Sequence, residues 1–145
     1  MEKLSYLILR GMSSLIFIMA GLNHLIHGEQ AAKKLEQAEL GYLATWMAPV
    51  ETLILLSGIG LILGGILFLI GFKTKISSLV LLLILIPITL TIQVSDAGTN
   101  GPLFKNIALM GVLIFFIMNG AVSYGLDQLI HNKTQMKNSL KRKDI

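Results

Sequence analysis

The sequence predicts an all-α protein: an integral membrane four-helix bundle, antiparallel and up-down, with a short interfacial helix between spans one and two. Three observations predict it. Four apolar runs each approach the roughly 20 residues that a helix needs to cross a bilayer. Only 14% of the 145 residues are charged while 54% are hydrophobic, where an ordinary soluble domain carries roughly 25% charged residues. Lys and Arg are also unevenly shared between the two sides that these runs define. A soluble chain this short could not hide so much apolar surface in one core, because small domains expose much of their area.

The spans are expected at about 4–26, 50–72, 76–94 and 103–126. Backbone groups in hydrocarbon must be satisfied within the segment, so each span is a helix. The first carries Arg10 inside its apolar run and no A-x-A site follows it, so it is expected to persist as an anchor and not to be cleaved. The connection Lys73-Thr74-Lys75 is short enough to make spans two and three antiparallel neighbours. Ser95 to Pro102 reads SDAGTNGP, a turn-rich loop.

The first connection has helical periodicity: Ala31, Leu35, Ala38, Tyr42 and Trp46 recur with Lys33, Lys34, Glu36 and Glu39 between them. Glu29 to Leu40 is therefore expected to lie as an amphipathic helix on the outer interface, broken by Gly41, with Trp46 at head-group depth. The bundle is expected to occupy 1–131, and 132–145 to form a disordered basic tail. There Lys133, Lys137, Lys141, Arg142 and Lys143 outweigh Asp144 and carry +4. Such a tail is attracted to anionic lipid head groups. It has no aromatic residue to stack on a base, so no nucleic-acid partner is expected.

Counting Lys and Arg gives eight on the side of both termini (Lys3, Lys73, Lys75 and the tail) and three opposite (Lys33, Lys34, Lys105). The richer side stays in the cytoplasm, so both termini are expected there.

Polar residues in a membrane are costly and each needs an account. Arg10 is expected about 7 Å from the middle of span one, on the cytoplasmic side. Asn119 on span four falls at similar depth, and Gly64 and Gly65 on span two leave room there. Arg10 and Asn119 either line a polar pocket for a carbonyl or an anion, or Arg10 snorkels to the head groups. At the opposite end, Asn23, His24 and His27 close span one and Glu51 opens span two. Gln93 and Asp96 close span three, and Lys105 and Asn106 open span four. All four helices thus deliver polar groups to one end, as a ligand site or as hydrated helix ends. Candidate ligand-binding residues are Arg10, His24, Glu51, Lys105, Asn106 and Asn119.

His24 and His27 share a face and could join Glu51 around a metal, but histidines at this spacing are also ordinary interface residues, and no metal site is assigned. His131 lies at the far end, so no histidine pair spans a haem. No phosphate-binding glycine loop, nucleophile elbow or H-E-x-x-H occurs. The chain has no cysteine, hence no thiol redox chemistry of its own. Pro87 removes a backbone hydrogen bond in span three and is expected to kink it, with Thr89 and Thr91 re-satisfying freed carbonyls and a cavity opening toward the outer half. Gly60 and Gly64 form a G-x-x-x-G spacing that serves packing inside the chain or oligomerisation. Asp127 is expected to be a water-facing cap.

Taken in order, Arg10-Gly11, Phe17, Gly21 and His24, then Pro49, Glu51, Gly58, Gly60 and Gly64, then Phe104-Lys105-Asn106 with Gly111, and finally Asp127 resemble the DoxX family of small four-span membrane proteins. The resemblance runs to about Leu129. It implies a four-helix bundle in a bacterial or archaeal inner membrane, associated with quinone-linked redox chemistry and with a redox partner protein. The absence of cysteine, and of a histidine in span three, departs from redox-active members and sets aside direct electron carriage. Two functions follow. One is a redox-associated subunit binding a quinone among His24, Glu51, Lys105 and Asn106, with Arg10 as a second polar contact. The other is a non-catalytic anchor or assembly subunit in which Glu51 and Lys105 pair to set helix register. A transporter is disfavoured, since no internal repeat is present.

Overall fold

The computed structural model describes residues 2–38, 40–42, 46, 48–93, 100–121, 124–130 and 132–133. Five helices account for most of them: α1 (Glu2–Ile26), α2 (Gly28–Gln37), α3 (Val50–Ile70), α4 (Thr74–Ile88) and α5 (Asn100–Asn119). A π-helical stretch, Thr89–Gln93, continues α4, and together they make a span over Thr74–Ile92. The four spans pack in chain order, α1 on α3, α3 on α4 and α4 on α5, and α1 also meets α5 where Tyr6 lies against Phe115 and Phe116. The protein is a multi-pass membrane protein with an antiparallel up-down bundle and a short helix between its first two spans. Its outer surface is apolar along every span, with Met12, Met19, Leu56, Leu63, Leu83 and Met118 all exposed, which water does not tolerate over so large an area.

The ends of the elements differ from expectation for local reasons. Span two stops at Ile70 because Gly71 turns left-handed (φ 68°) and its N–H closes on the Leu67 and Phe68 carbonyls, the usual glycine exit from a helix. Span three starts at Thr74, two residues early. Span four runs from Asn100 to Asn119, not 103–126: Pro102 falls in its first turn, where proline is tolerated, and Gly120 (φ 69°) ends it. A separate helical turn follows over 126–130. The interfacial helix stops at Gln37 and Ala38 is extended, so it ends before Gly41. Glu39, Asp96, His131 and the tail from 134 lie outside the described residues.

The core is a column of Phe17, Leu61, Phe68, Leu81, Leu113 and Phe116. Phe68 and Phe116 meet edge to face at 5.0 Å, and Tyr6 and Phe115 lie 5.3 Å apart; such ring pairs add to what area burial alone supplies. α1 and α3 touch through glycines. A Cβ on Gly21 would lie 2.7 Å from the Gly58 carbonyl oxygen, so this helix pair is closer than any larger residue permits. Gly60 and Gly64 face Ile84 and Leu81 of α4. Their spacing is used inside the chain, and a second copy would find those faces covered.

Candidate functional site

Ser13 and Ser14 sit in the middle of α1 and donate to the Leu9 and Arg10 carbonyls one turn back; the candidate polar residues lie in two groups, one toward each end of the bundle. At the end carrying the Lys73 hairpin, Arg10 is 1% exposed. Its Nη2 donates to the Tyr124 carbonyl at 2.6 Å. The space it occupies is left by Gly71 and Gly125, where a Cβ would stand 2.7 and 3.2 Å from Nη1. Gly64 and Gly65 leave no such space, since they pack against Leu81 and Ile18. Snorkelling does not describe Arg10, because it is enclosed by the protein. Asn119 does not join it. Asn119 is exposed and donates to the Phe115 carbonyl one turn back in its own helix.

Asp127 completes this end. Its Oδ1 accepts the Lys73 N–H at 2.6 Å, and Oδ2 accepts both the Thr74 N–H (2.9 Å) and the Thr74 hydroxyl (3.0 Å). Its own N–H donates to the Gly71 carbonyl at 3.0 Å. Asp127 is a cap, as expected, but it caps the N-terminus of α4 from 53 residues away. A carboxylate there satisfies orphan N–H groups and suits the helix dipole. It also holds Lys73 in the left-handed region (φ 45°), which costs a non-glycine residue roughly 1–2 kcal/mol. Asp127 attracts the Arg10 charge through space.

The other end, where α2 lies, is built around an opening. A cavity of about 340 Å³ is lined by buried apolar residues, Phe17, Leu61, Leu85 and Leu109, and by polar ones: the buried Asn106, the half-buried His24, and the exposed Lys34 and Lys105 at its rim. A second, shallower groove of about 620 Å³ lies between α2 and α3 and is lined by His24, Glu29, Glu36 and Glu51. His24 borders both. Glu51 and Lys105 line different hollows and form no ion pair, so the register-setting bridge expected between them is not made. Of the six sequence candidates, His24, Lys105 and Asn106 share the cavity, Glu51 faces the groove, Arg10 belongs to the opposite end, and Asn119 borders an open hollow there with Lys73, Thr74 and Asp127.

His24 Nδ1 lies 3.0 Å from Ser57 Oγ, whose own proton points to the Ile54 carbonyl at 2.9 Å. Ser57 has one proton to give, so it accepts from Nδ1–H, and Nε2 of neutral His24 is left as the acceptor. His27 Nδ1 donates to Asn23 Oδ1 at 3.1 Å, so each histidine is held by a neighbour. Asn106 is 3% exposed, and its Nδ2 donates to Thr89 Oγ1 at 2.9 Å. That hydroxyl in turn donates to the Leu85 carbonyl, and Thr91 Oγ1 donates to the Pro87 carbonyl. The threonines thus bond one turn back along their own helix. The distortion expected at Pro87 appears as the π-helical stretch just after it, and Ile88 and Ile92 from this region border the cavity. Sequence reading missed Ser57, Thr89 and Lys34 as site residues. An i, i+33 contact such as His24–Ser57 leaves no periodic trace, although the Thr89–Asn106 pairing is suggested by polar residues at matching depth on adjacent antiparallel spans.

Comparison with known proteins adds one positive result. The family model named DoxX matches residues 5–94. The chain belongs to the DoxX family. No curated protein and no solved structure matches it. Within this DoxX chain the match takes in Arg10, His24, Glu51 and the hairpin at Lys73, and it stops before α5. The F-K-N motif with Lys105 and Asn106, and Asp127, lie beyond it, so the cavity joins matched residues on α1 and α4 to unmatched ones on α5.

Proposed function

We propose that this DoxX protein is a redox-associated membrane subunit that binds a quinone or a similar lipophilic small molecule in the α2-end cavity. The observation that carries the reading is the cavity itself: its volume falls at the small end of the range for ligand pockets, roughly 300–1,000 Å³, and it joins an apolar wall to a few polar groups. An apolar ring fits against Phe17, Leu61 and Leu85. A quinone carbonyl calls for donors, which Lys105 and the Asn106 amide supply. A quinol hydroxyl calls for an acceptor, which Nε2 of neutral His24 supplies. With no cysteine in the chain, electrons would pass between the ligand and a redox partner protein. Glu51 lines the neighbouring groove, and in this reading it serves as a control. Membership of the DoxX family supports a bacterial or archaeal inner membrane, and the excess of Lys and Arg beside the termini supports cytoplasmic termini, with the cavity then at the outer leaflet.

A titration of purified full-length protein with a short-chain benzoquinone, read by quenching of Trp46 fluorescence or by calorimetry, tests this. His24→Ala and Asn106→Ala are expected to weaken binding about tenfold or more, and Glu51→Ala to leave it within about twofold. Equal binding by all three variants would remove the cavity as the site.

A further inference from the structure

We infer that the α2-end cavity prefers a ligand whose head group carries an anionic oxygen, so that its best occupant is an acidic hydroxyquinone or a quinol anion and not a neutral quinone. The quinone skeleton rests on the function proposed above; the charge preference follows from the cavity wall. Two lysines from different elements converge on the rim, Lys34 from α2 and Lys105 from α5, and no Asp or Glu lines the cavity among the described residues. This is not for want of carboxylates nearby. Glu29, Glu36 and Glu51 all line the neighbouring groove.

The helix α2 does the sorting. Glu29, Lys33 and Glu36 recur at i, i+4 and i+7 and so share one face, which borders the groove. Gln30, Ala31 and Lys34 lie on the next face and border the cavity. Leu35 is 4% exposed and pins the rotation of α2, so the two faces cannot exchange. The α2 carboxylates are turned away from the rim while Lys34 is turned toward it. Beneath the rim, Phe17, Leu61 and Leu85 make an apolar wall, and a charge near a low-dielectric wall is screened less than one in open water. An anionic oxygen at the rim would take charge-assisted hydrogen bonds, roughly twice as strong as neutral ones.

The probes are an alkyl hydroxynaphthoquinone, its methyl ether and a fatty-acid carboxylate of similar chain length, each titrated into purified full-length protein in mildly alkaline buffer where the hydroxyquinone is ionised. The anion is expected to bind about tenfold tighter than the ether. Lys34→Gln with Lys105→Gln, at two exposed positions that folding tolerates, is expected to abolish that preference and bring anion and ether to equal affinity, while Lys34→Gln alone is expected to reduce the preference and leave ether binding within about twofold. Equal binding of anion and ether by the native chain would overturn the inference and leave the quinone reading standing. So would a preference that survives in the double variant. Carboxylate binding as tight as that of the hydroxyquinone would support the charge preference and overturn the quinone skeleton.

Discussion

The two ends of this bundle handle buried polar groups in opposite ways. At the hairpin end, Arg10, Asp127, Thr74 and the Lys73 and Tyr124 backbone close on one another, and aromatic rings fill the space behind them. At the α2 end, His24 and Asn106 are held by Ser57 and Thr89, but these contacts leave a hollow of about 340 Å³ in front of them. Membrane interiors tolerate polar groups that are satisfied. What separates structure from function here is whether the satisfied groups leave room for a guest. The difference also predicts where substitutions should hurt: stability at the hairpin end, binding at the other.

The largest effect is expected for Arg10→Ala. It loses a charged hydrogen bond and opens a void between Gly71 and Gly125, and should lower unfolding stability in detergent by about 3 kcal/mol. Arg10→Lys should recover only part, since an ammonium does not reproduce the planar fork. Unchanged thermal unfolding in both variants would mean that the closed end is not what holds the bundle. Asp127→Ala should cost about 2 kcal/mol through loss of the cap, and Lys73→Gly in that background should recover about 1 kcal/mol by relieving the left-handed residue. Gly21→Leu should cost about 2 kcal/mol by forcing α1 from α3, and should also weaken ligand binding, because His24 and Ser57 sit across that same contact. The sharpest contrast comes from Ala20→Leu, at a cavity-lining, half-buried position. It should shift stability by less than about 1 kcal/mol while abolishing quinone binding, measured by unfolding and titration on one sample. Destabilisation by Ala20→Leu as large as that of Arg10→Ala would erase the distinction between the two ends.

The spans and their order were legible because bilayer thickness imposes a length on every crossing segment, and an apolar run of that length has few other readings. The end of span four was not. Apolar residues continue past Asn119 through Ala121 and Val122, and hydropathy does not register the left-handed turn at Gly120. The convergence of polar residues at one end was legible as well, since depth along a helix follows from counting. Which of those residues face one hollow was not, because rotation about the helix axis depends on contacts such as Leu35 and Gly21–Gly58. Arg10 shows the limit most clearly. Depth alone suggested Asn119 and Gly64 as its neighbours, but its partner is the Tyr124 carbonyl. Every residue carries a backbone carbonyl, so nothing in the residue types singles that one out.

The placement of Asp127 has a consequence for biosynthesis. Ribosomes deliver spans one to three, with the turn that joins the second and third, well before residue 127 is translated. During that interval Lys73 and Thr74 present amide groups with no carboxylate to receive them, and Arg10 waits for a carbonyl not yet made. The earliest helix is thus fastened by one of the latest segments, and a nascent chain halted short of Tyr124 would hold its helices inserted but unlatched, open to quality-control proteases.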